Sequence, residues 1–493
     1  MASVLATLTL CGIAVVITLL TGLSGGCTPA LALGKGVIDY RLEAPAEVDL
    51  RTVPDMVTEI GPARLNAGWT RVMVRWKVLQ PLPPGTWYPG DANGDGYADA
   101  YVQELNTIVG LFRASGVKVI LTPLDVPEWA SNVSLWNSPP RGYEKGYQPF
   151  YAMDVADPVV LPAFGRMGEF LAANFRGSVR HFEVWNEPNL GLYLYPQNLP
   201  GAYRVGARTY LKMLGVFSHG VHRGASDAIV IAGATSPSGF NNDSGTSPQS
   251  FARFLRDRGA ARYFDAYSHH PYGSRNDRRV APSERPNAPY WEVTLYNLDV
   301  LLKLFPGKDF YLTEYGYNSR RGQLFGPAVS AADQARYLRQ AYSLVARRYP
   351  RVRAMLWFVV QDMAPDVPGG LGCYMGLRTA RGVRKPSWYA FAGGTSVALK
   401  APPSARASEV FTVSGLLANR ALGPVAGARV QLEARWPGVR TWRVLSAQRT
   451  RVDGSCAFRV RQTFSRSYRI VWDGVLGSVA RKVATPVRQG EIY

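Results

Sequence analysis

His181-Phe182-Glu183-Val184-Trp185-Asn186-Glu187-Pro188-Asn189 reads as a strand that stops at a carboxylate. β-branched and aromatic residues carry the run to Trp185, and Pro188 removes the N–H that a further ladder bond would need. Glu187 therefore stands at a strand tip with an amide, Asn186, before it. A second tip of this kind occurs at Phe310-Tyr311-Leu312-Thr313-Glu314-Tyr315-Gly316.

Outward from these tips the chain alternates between short apolar runs and helical periodicity. Strand patterns fall near Val37–Tyr40, Thr70–Arg75, Val117–Thr122, His181–Trp185, Ile229–Ala232, Phe264–Ser268, Phe310–Thr313 and Ala354–Phe358. Helical patterns separate them at Asp55–Ala67, Tyr101–Ser115, Leu161–Phe175, Ala202–Arg223, Tyr290–Leu304 and Ala331–Arg348, with a closing Pro386–Ala392. Strands separated by helices imply βαβ units and a parallel sheet. Eight of them predict an α/β fold, a (β/α)₈ barrel, with the 181 and 310 runs as fourth and seventh strands. A doubly wound sheet is the alternative, and the first strand lacks the Gly-rich turn that would favour it.

Ala401-Pro402-Pro403-Ser404 marks a linker, after which the period changes. Short strands are predicted at Phe411–Leu417, Ala428–Ala434, Trp442–Ala447, Cys456–Arg461, Tyr468–Trp472 and Ser478–Val483, an all-β sandwich. The expected division is a signal peptide or membrane anchor over 1–32, the barrel over 33–400, a linker over 401–406 and the sandwich over 407–493.

The 493 residues carry a net charge of +20, with 47% hydrophobic and 19% charged residues, which describes a globular chain and excludes disorder. Residues 401–493 hold 15 Lys/Arg against 5 Asp/Glu, half of the net charge in a fifth of the chain. An anionic glycan or cell envelope is one partner this would suit; arginine-rich base composition is the plainer explanation. No basic cluster with interleaved aromatics points to nucleic acid. Val4–Leu20 is apolar, no charge precedes Lys35, and Ala30-Leu31-Ala32 suits a cleavage site, so the chain is expected to be secreted. With no Lys or Arg in the first residues, an uncleaved anchor is the alternative. Cys11, Cys27, Cys373 and Cys456 show no zinc spacing, and the last two read as isolated buried thiols.

Two carboxylates at strand ends of one barrel converge on its mouth whatever their separation in sequence, here 127 residues. Cleaving a glycosidic bond needs such a pair, one group to protonate the leaving oxygen and one to trap or stabilise the oxocarbenium-like carbon. Trp185-Asn186-Glu187-Pro188 and Thr313-Glu314-Tyr315-Gly316 resemble the acid/base and nucleophile motifs of glycoside hydrolase clan A, with families 39 and 5 most similar. The likeness extends through Gly68–Trp76, Pro127-Glu128-Trp129-Ala130, Ser268-His269-His270-Pro271-Tyr272, Trp357 and Lys385-Pro386, covering most of residues 36–395.

The resemblance implies a retaining β-glycosidase. Glu187 would be the acid and then the base, and Glu314 the nucleophile. Arg75 and Tyr272 would hold Glu314, and Asn186 would meet the sugar 2-hydroxyl. Trp357 would form a platform under the sugar and His270 would bind hydroxyls beside it. Trp129, Tyr193 and Tyr195 are further cleft candidates. Each has a plain structural alternative: a buried ion pair for Arg75, core packing for Trp357 and Trp129, a satisfied core imidazole for His270. His181, Glu183 and His269 are expected to pack or hydrogen-bond within the barrel.

No cofactor is implied. Asp91-Ala92-Asn93-Gly94-Asp95-Gly96-Tyr97-Ala98-Asp99 matches the opening of a calcium loop, with Val102 at the twelfth place, where an acid belongs. A structural calcium on Asp91, Asn93, Asp95 and Asp99 and an Asx-rich turn are the two readings. The sandwich resembles immunoglobulin-like modules beside secreted enzymes. Endo action on an extracellular polysaccharide is expected. An exo-acting β-xylosidase-like enzyme, a transglycosylase and a non-catalytic glycan-binding envelope protein are the rivals. Oligomeric state has no sequence signal.

Overall fold

A computed structural model describes residues 33–43, 49–132, 152–199, 201–273, 281–285, 292–320, 327–363, 373–419, 423–472 and 476–486. The N-terminal segment, with its expected signal or anchor, lies outside these residues.

Eight strands close a parallel barrel in sequence order: β1 (Gly34–Ile38), β2 (Trp69–Arg75), β3 (Lys118–Leu124), β4 (His181–Glu183), β5 (Ile229–Thr235), β6 (Ala266–His269), β7 (Asp309–Tyr315) and β8 (Val352–Phe358). β8 returns to β1 with Gly34 opposite Ala354 and Ile38 opposite Phe358. Around the barrel lie α1 (Val53–Ile60), α2 (Trp76–Leu79), α3 (Asp99–Ala114), α4 (Val160–Asn174), α5 (Val205–Gly224), α6 (Pro248–Asp257), α7 (Asp299–Leu302), α8 (Ala331–Arg348) and α9 (Pro386–Ala392).

Alternation along the strands sorts the core into two layers. Inside the barrel sit Ile38, Trp69, Ile120, Ile231, Tyr311, Leu356 and Phe358. Between barrel and helices sit residues such as Val72, Leu121, Phe182, Leu312 and Trp357 against Phe112, Phe164, Phe217 and Leu338. The inner layer is tight enough that a Cβ on Gly36 would stand 2.6 Å from Leu356 Cγ. α4 and α5 touch backbone to backbone, where a Cβ on Gly220 would meet the Gly165 carbonyl oxygen at 1.9 Å. α8 starts where Ser330 accepts a hydrogen bond from the Asp333 N–H, an N-cap in the usual sense.

The sandwich begins earlier than the sequence suggests. β9 (Thr395–Lys400), counted above with the barrel, pairs antiparallel with β10 (Val410–Asn419). Its pattern of buried Val397 and Leu399 between exposed neighbours is that of a sandwich strand. β9 and β10 form one sheet with β11 (Gly423–Pro424) and β14 (Ser455–Arg461). The other sheet holds β12 (Arg429–Arg435), β13 (Arg443–Arg449), β15 (Arg466–Trp472), β16 (Leu476–Gly477) and β17 (Arg481–Val483). Val413, Leu417, Leu432, Phe458, Tyr468 and Ile470 fill the space between the sheets. Tyr389 of α9 meets Trp472 edge to face at 5.1 Å, and Asn419 Nδ2 donates to the Gly393 carbonyl, so barrel and sandwich are joined. Cys373 and Cys456 are both free and buried.

Candidate active site

The chain leaves β4 through a strained turn. Trp185 (φ 72°) and Glu187 (φ 38°) both lie in the left-handed region that side chains other than glycine disfavour. Neighbours hold them there. The Glu187 N–H donates to the Ala234 carbonyl at 3.0 Å and Trp185 Nε1 to the Tyr193 carbonyl at 2.7 Å. Asn189 braces the loop from below, its Oδ1 accepting from the Ser236 N–H and its Nδ2 reaching the Ser238 and Thr246 carbonyls. Nothing in the sequence marks Asn189 for this role, because its backbone partners come from a loop 47 to 57 residues further on.

This turn and the end of β7 bring Glu187 and Glu314 together. One oxygen of each, with a His270 ring nitrogen, lies within 4.8 Å of the others. Glu314 Oε1 receives Arg71 Nη1 at 2.6 Å, and its Oε2 accepts from the Tyr272 hydroxyl at 2.9 Å. His270 Nδ1 stands 3.0 Å from Glu187 Oε1 and 3.6 Å from Glu314 Oε2. Asn186 Oδ1 accepts from Arg71 Nη2. Beneath them, Glu183 lies fully buried with its Oε2 3.2 Å from Arg71 Nε. Thr122 and Thr313 each donate a hydroxyl to it, at 3.0 and 2.7 Å.

Burial raises the pKa of both Glu187 and Glu314 above the ordinary carboxylate range. The two are not equal. Arg71 and Tyr272 touch Glu314 and pull it back down, whereas Arg71 reaches Glu187 only at a distance and the Glu314 charge opposes its ionisation. Ionisation is thus better supported at Glu314 than at Glu187.

Arg75 is not the cation on Glu314. Its Nε pairs with Asp125 Oδ2 at 2.6 Å, with Lys77 3.4 Å from the same oxygen, and Arg71 takes the expected place. Residues 71 and 75 share the same strand parity, so alternation alone does not separate them. The available signal was a charge in the middle of an otherwise apolar strand, which must find an interior partner. Trp357 is not a platform at the mouth. It points outward, fully buried against Tyr315, with Nε1 donating to the Met375 carbonyl at 2.8 Å. The next residue, Phe358, belongs to the inner layer with Tyr272 and Met375.

Trp129 is half-buried against Trp76, its Nε1 on the Gln80 carbonyl. Tyr193 and Tyr195 are partly buried in the loop after β4. His269 is closed off by Thr235 and the Val293 carbonyl, both at 2.8 Å. His181 packs edge-on to Trp69 and Tyr311 on the barrel floor.

In the Asp91 loop an oxygen of each candidate side chain is turned onto the loop itself, while Asp91 Oδ1 is buried with no hydrogen-bond partner among the described residues. Asp91 Oδ2 accepts from the Gly96 N–H, Asn93 Oδ1 from Asp95, Asp95 Oδ1 from Tyr97 and Asp99 Oδ2 from Ala92. Among the described residues no three acidic groups of this loop converge as closely as Glu187, His270 and Glu314 do. That trio already has a guanidinium on Glu314 and a threonine on His270, a set that suits proton transfer better than a cation.

No protein-family model matches the chain, and no curated protein matches it in sequence. Solved structures do. A family 5 glycoside hydrolase (subfamily 18) from Streptomyces cattleya, solved with GlcNAc, is 17% identical with TM-score 0.50, over 73% of this chain and 79% of that one. A family 39 glycoside hydrolase from Bacteroides cellulosilyticus is 16% identical with TM-score 0.49, over 90% and 81%. A β-xylosidase from Caulobacter crescentus is 15% identical with TM-score 0.46, over 89% and 96%. The chain thus shares its fold with a family 5 glycoside hydrolase, one of the two families that its strand-tip motifs resemble.

Proposed function

We propose that the chain is a retaining β-glycosidase. The observation that carries this is the pair Glu187 and Glu314, facing oxygens within 4.8 Å, one group beside an imidazole and the other beside a guanidinium and a phenol. Carboxyls about 5 Å apart suit retention, while inversion needs a wider gap to admit water. Glu187 gives its proton to the leaving oxygen as Glu314 attacks the anomeric carbon. Water then cleaves the glycosyl-enzyme as Glu187 takes a proton back. Labelling with a panel of 2-deoxy-2-fluoro glycosyl fluorides, followed by peptide mass mapping, tests it. Label on Glu314 is expected; glycan binding without label for any sugar would favour a binding protein instead.

An extracellular polysaccharide attacked internally is the substrate we favour, over exo action on a xyloside. Exposed aromatics on loops at the mouth end of the barrel support it: Trp87 after β2, Tyr203 after β4 and Phe240 after β5, 74%, 69% and 63% exposed. The sandwich supplies a second argument. Arg435 and Arg469 lie 4.9 and 4.4 Å from the Trp442 ring, and Arg443 and Arg466 lie 5.6 and 4.7 Å from Trp436. Arg469 spends its N–H edge on Glu433, with Nε and Nη2 both 2.7 Å from Oε2. A guanidinium stacked on indole otherwise keeps that edge for carboxylate or sulfate, so Arg435, Arg443 and Arg466 make an acidic glycan the partner we favour for this domain.

A further inference from the structure

The acid assigned to Glu187 needs a proton, and a line of hydrogen bonds running under the site accounts for where that proton sits. Glu183 accepts two hydroxyl donors, Thr313 and Thr122, and Arg71 Nε stands 3.2 Å from its Oε2 as an ion-pair partner. It is an acceptor throughout. Arg71 Nε also donates to Thr122 Oγ1 at 3.2 Å, which leaves the Thr122 proton for Glu183. Thr313 has one proton and gives it to Glu183. His270 Nε2, 3.1 Å from Thr313 Oγ1, can then only be the donor to that oxygen. A neutral His270 in this tautomer has a bare Nδ1, and Nδ1 faces Glu187 Oε1 at 3.0 Å. A lone pair facing a carboxyl oxygen is attractive only when the carboxyl carries the hydrogen.

We propose that Glu183 and Thr313 are positioning residues that fix His270 as its Nε2–H tautomer and so hold the proton on Glu187. This rests on the reading of Glu187 as the acid. The charged and titratable groups around His270 are Arg71 from β2, Glu183 and Glu187 from and just after β4, His269 and Tyr272 on either side of it, and Glu314 from β7. Burial lowers the His270 pKa against the opposing pull of Glu187, with Arg71 adding to the lowering, and so favours the neutral ring. The relay serves both half-reactions. As the Glu187 O–H bond breaks, the leaving oxygen gains the hydrogen. The resulting carboxylate faces a nitrogen lone pair and no donor. It is thereby primed to draw a proton from the attacking water, whose oxygen bonds to the anomeric carbon as the bond to Glu314 breaks.

The test is ¹⁵N NMR of the full chain labelled at histidine, with the His270 signals identified by their loss in His270→Asn. At pH 6 one bare Nδ1 and one protonated Nε2 are expected. Two protonated nitrogens would overturn the proposal. Thr313→Val removes the acceptor for Nε2, and the tautomer ratio should move about tenfold towards Nδ1–H, as one lost hydrogen bond of ~1.4 kcal/mol predicts. Thr313→Ser should restore the original spectrum. A Thr313→Val spectrum identical to wild type would also overturn it, and if that variant does not fold, the wild-type and Thr313→Ser spectra decide. With 4-nitrophenyl β-glycosides, Thr313→Val should lower the basic limb of the pH–rate profile by about one unit, because Nδ1–H would now stabilise the Glu187 anion. The NMR arm needs no turnover, so a chain that cleaves no glycoside can still pass or fail it.

Discussion

Arg71 keeps a full charge with none of its side chain exposed, and it does so because two carboxylates and an amide surround it. Removing one member of a buried ion pair strands the other. Arg71→Met should therefore cost about 3–5 kcal/mol in urea unfolding and abolish turnover. Arg75→Ala also leaves a buried carboxylate, Asp125, with less compensation, yet it stands off Glu314. Stability should fall while turnover of an aryl glycoside stays within a few-fold, and equal collapse in both variants would return Arg75 to the site. Glu187→Gln should slow glycosides with poor leaving groups by about 10²–10⁴ and spare activated ones; identical losses on both would remove it as the acid. Legibility at this scale was uneven. Glu187 and Glu314 announce themselves because a carboxylate at an apolar strand tip is rare. Trp357 misled because in β8 a shift of one residue exchanges the inner and outer faces, and the length of the strand was uncertain by more than that.

Among the elements, α8 is legible to the residue, since Ser330 caps its start and Tyr349-Pro350 forbids its continuation. The helix expected over Tyr290–Leu304 shrinks to α7, Asp299–Leu302. Thr294 and Asn297 close a capping box there over a single 3₁₀ turn, and such local hydrogen bonding competes with helix in a way periodicity does not show. The part of that pattern at Tyr290 lies outside the described residues. On α3, Glu104 has a buried Oε1 with no hydrogen-bond partner among the described residues, and burial pushes its carboxyl up to about 7. Its folded pKa lies above the unfolded one, so the folded state binds the extra proton between about pH 4.5 and 7 and loses stability as pH rises through that window. Glu104→Gln should thus stabilise the chain by about 1 kcal/mol at pH 8, partial solvent access being allowed for, and by little at pH 4. Urea midpoints at the two pH values check it; a gain that is larger at pH 4 would contradict the burial argument.

Across the whole molecule, the barrel was readable because eight apolar runs separated by helices admit few other folds. The start of the sandwich was not, because Thr395–Lys400 follows α9 after two glycines and resembles a barrel's closing strand until its partner β10 is known. The concentration of charge in that module predicts binding to an acidic polysaccharide such as polygalacturonate that weakens with salt. Arg435→Ala with Arg443→Ala should weaken it at least tenfold in affinity electrophoresis. Unchanged retardation would leave the arginines as solvation alone.

Closure of the barrel by β1 against β8 also sets a clock on biosynthesis. Gly34 finds its partner Ala354 only after 320 further residues have been made. At ribosomal speeds of roughly 5–20 residues per second, the nascent chain carries β1 with that edge unsatisfied for on the order of 16–64 seconds. An open edge of this kind is a template for stray pairing. The tendency to misassemble should therefore be decided during translation, before Glu187 and Glu314 have met.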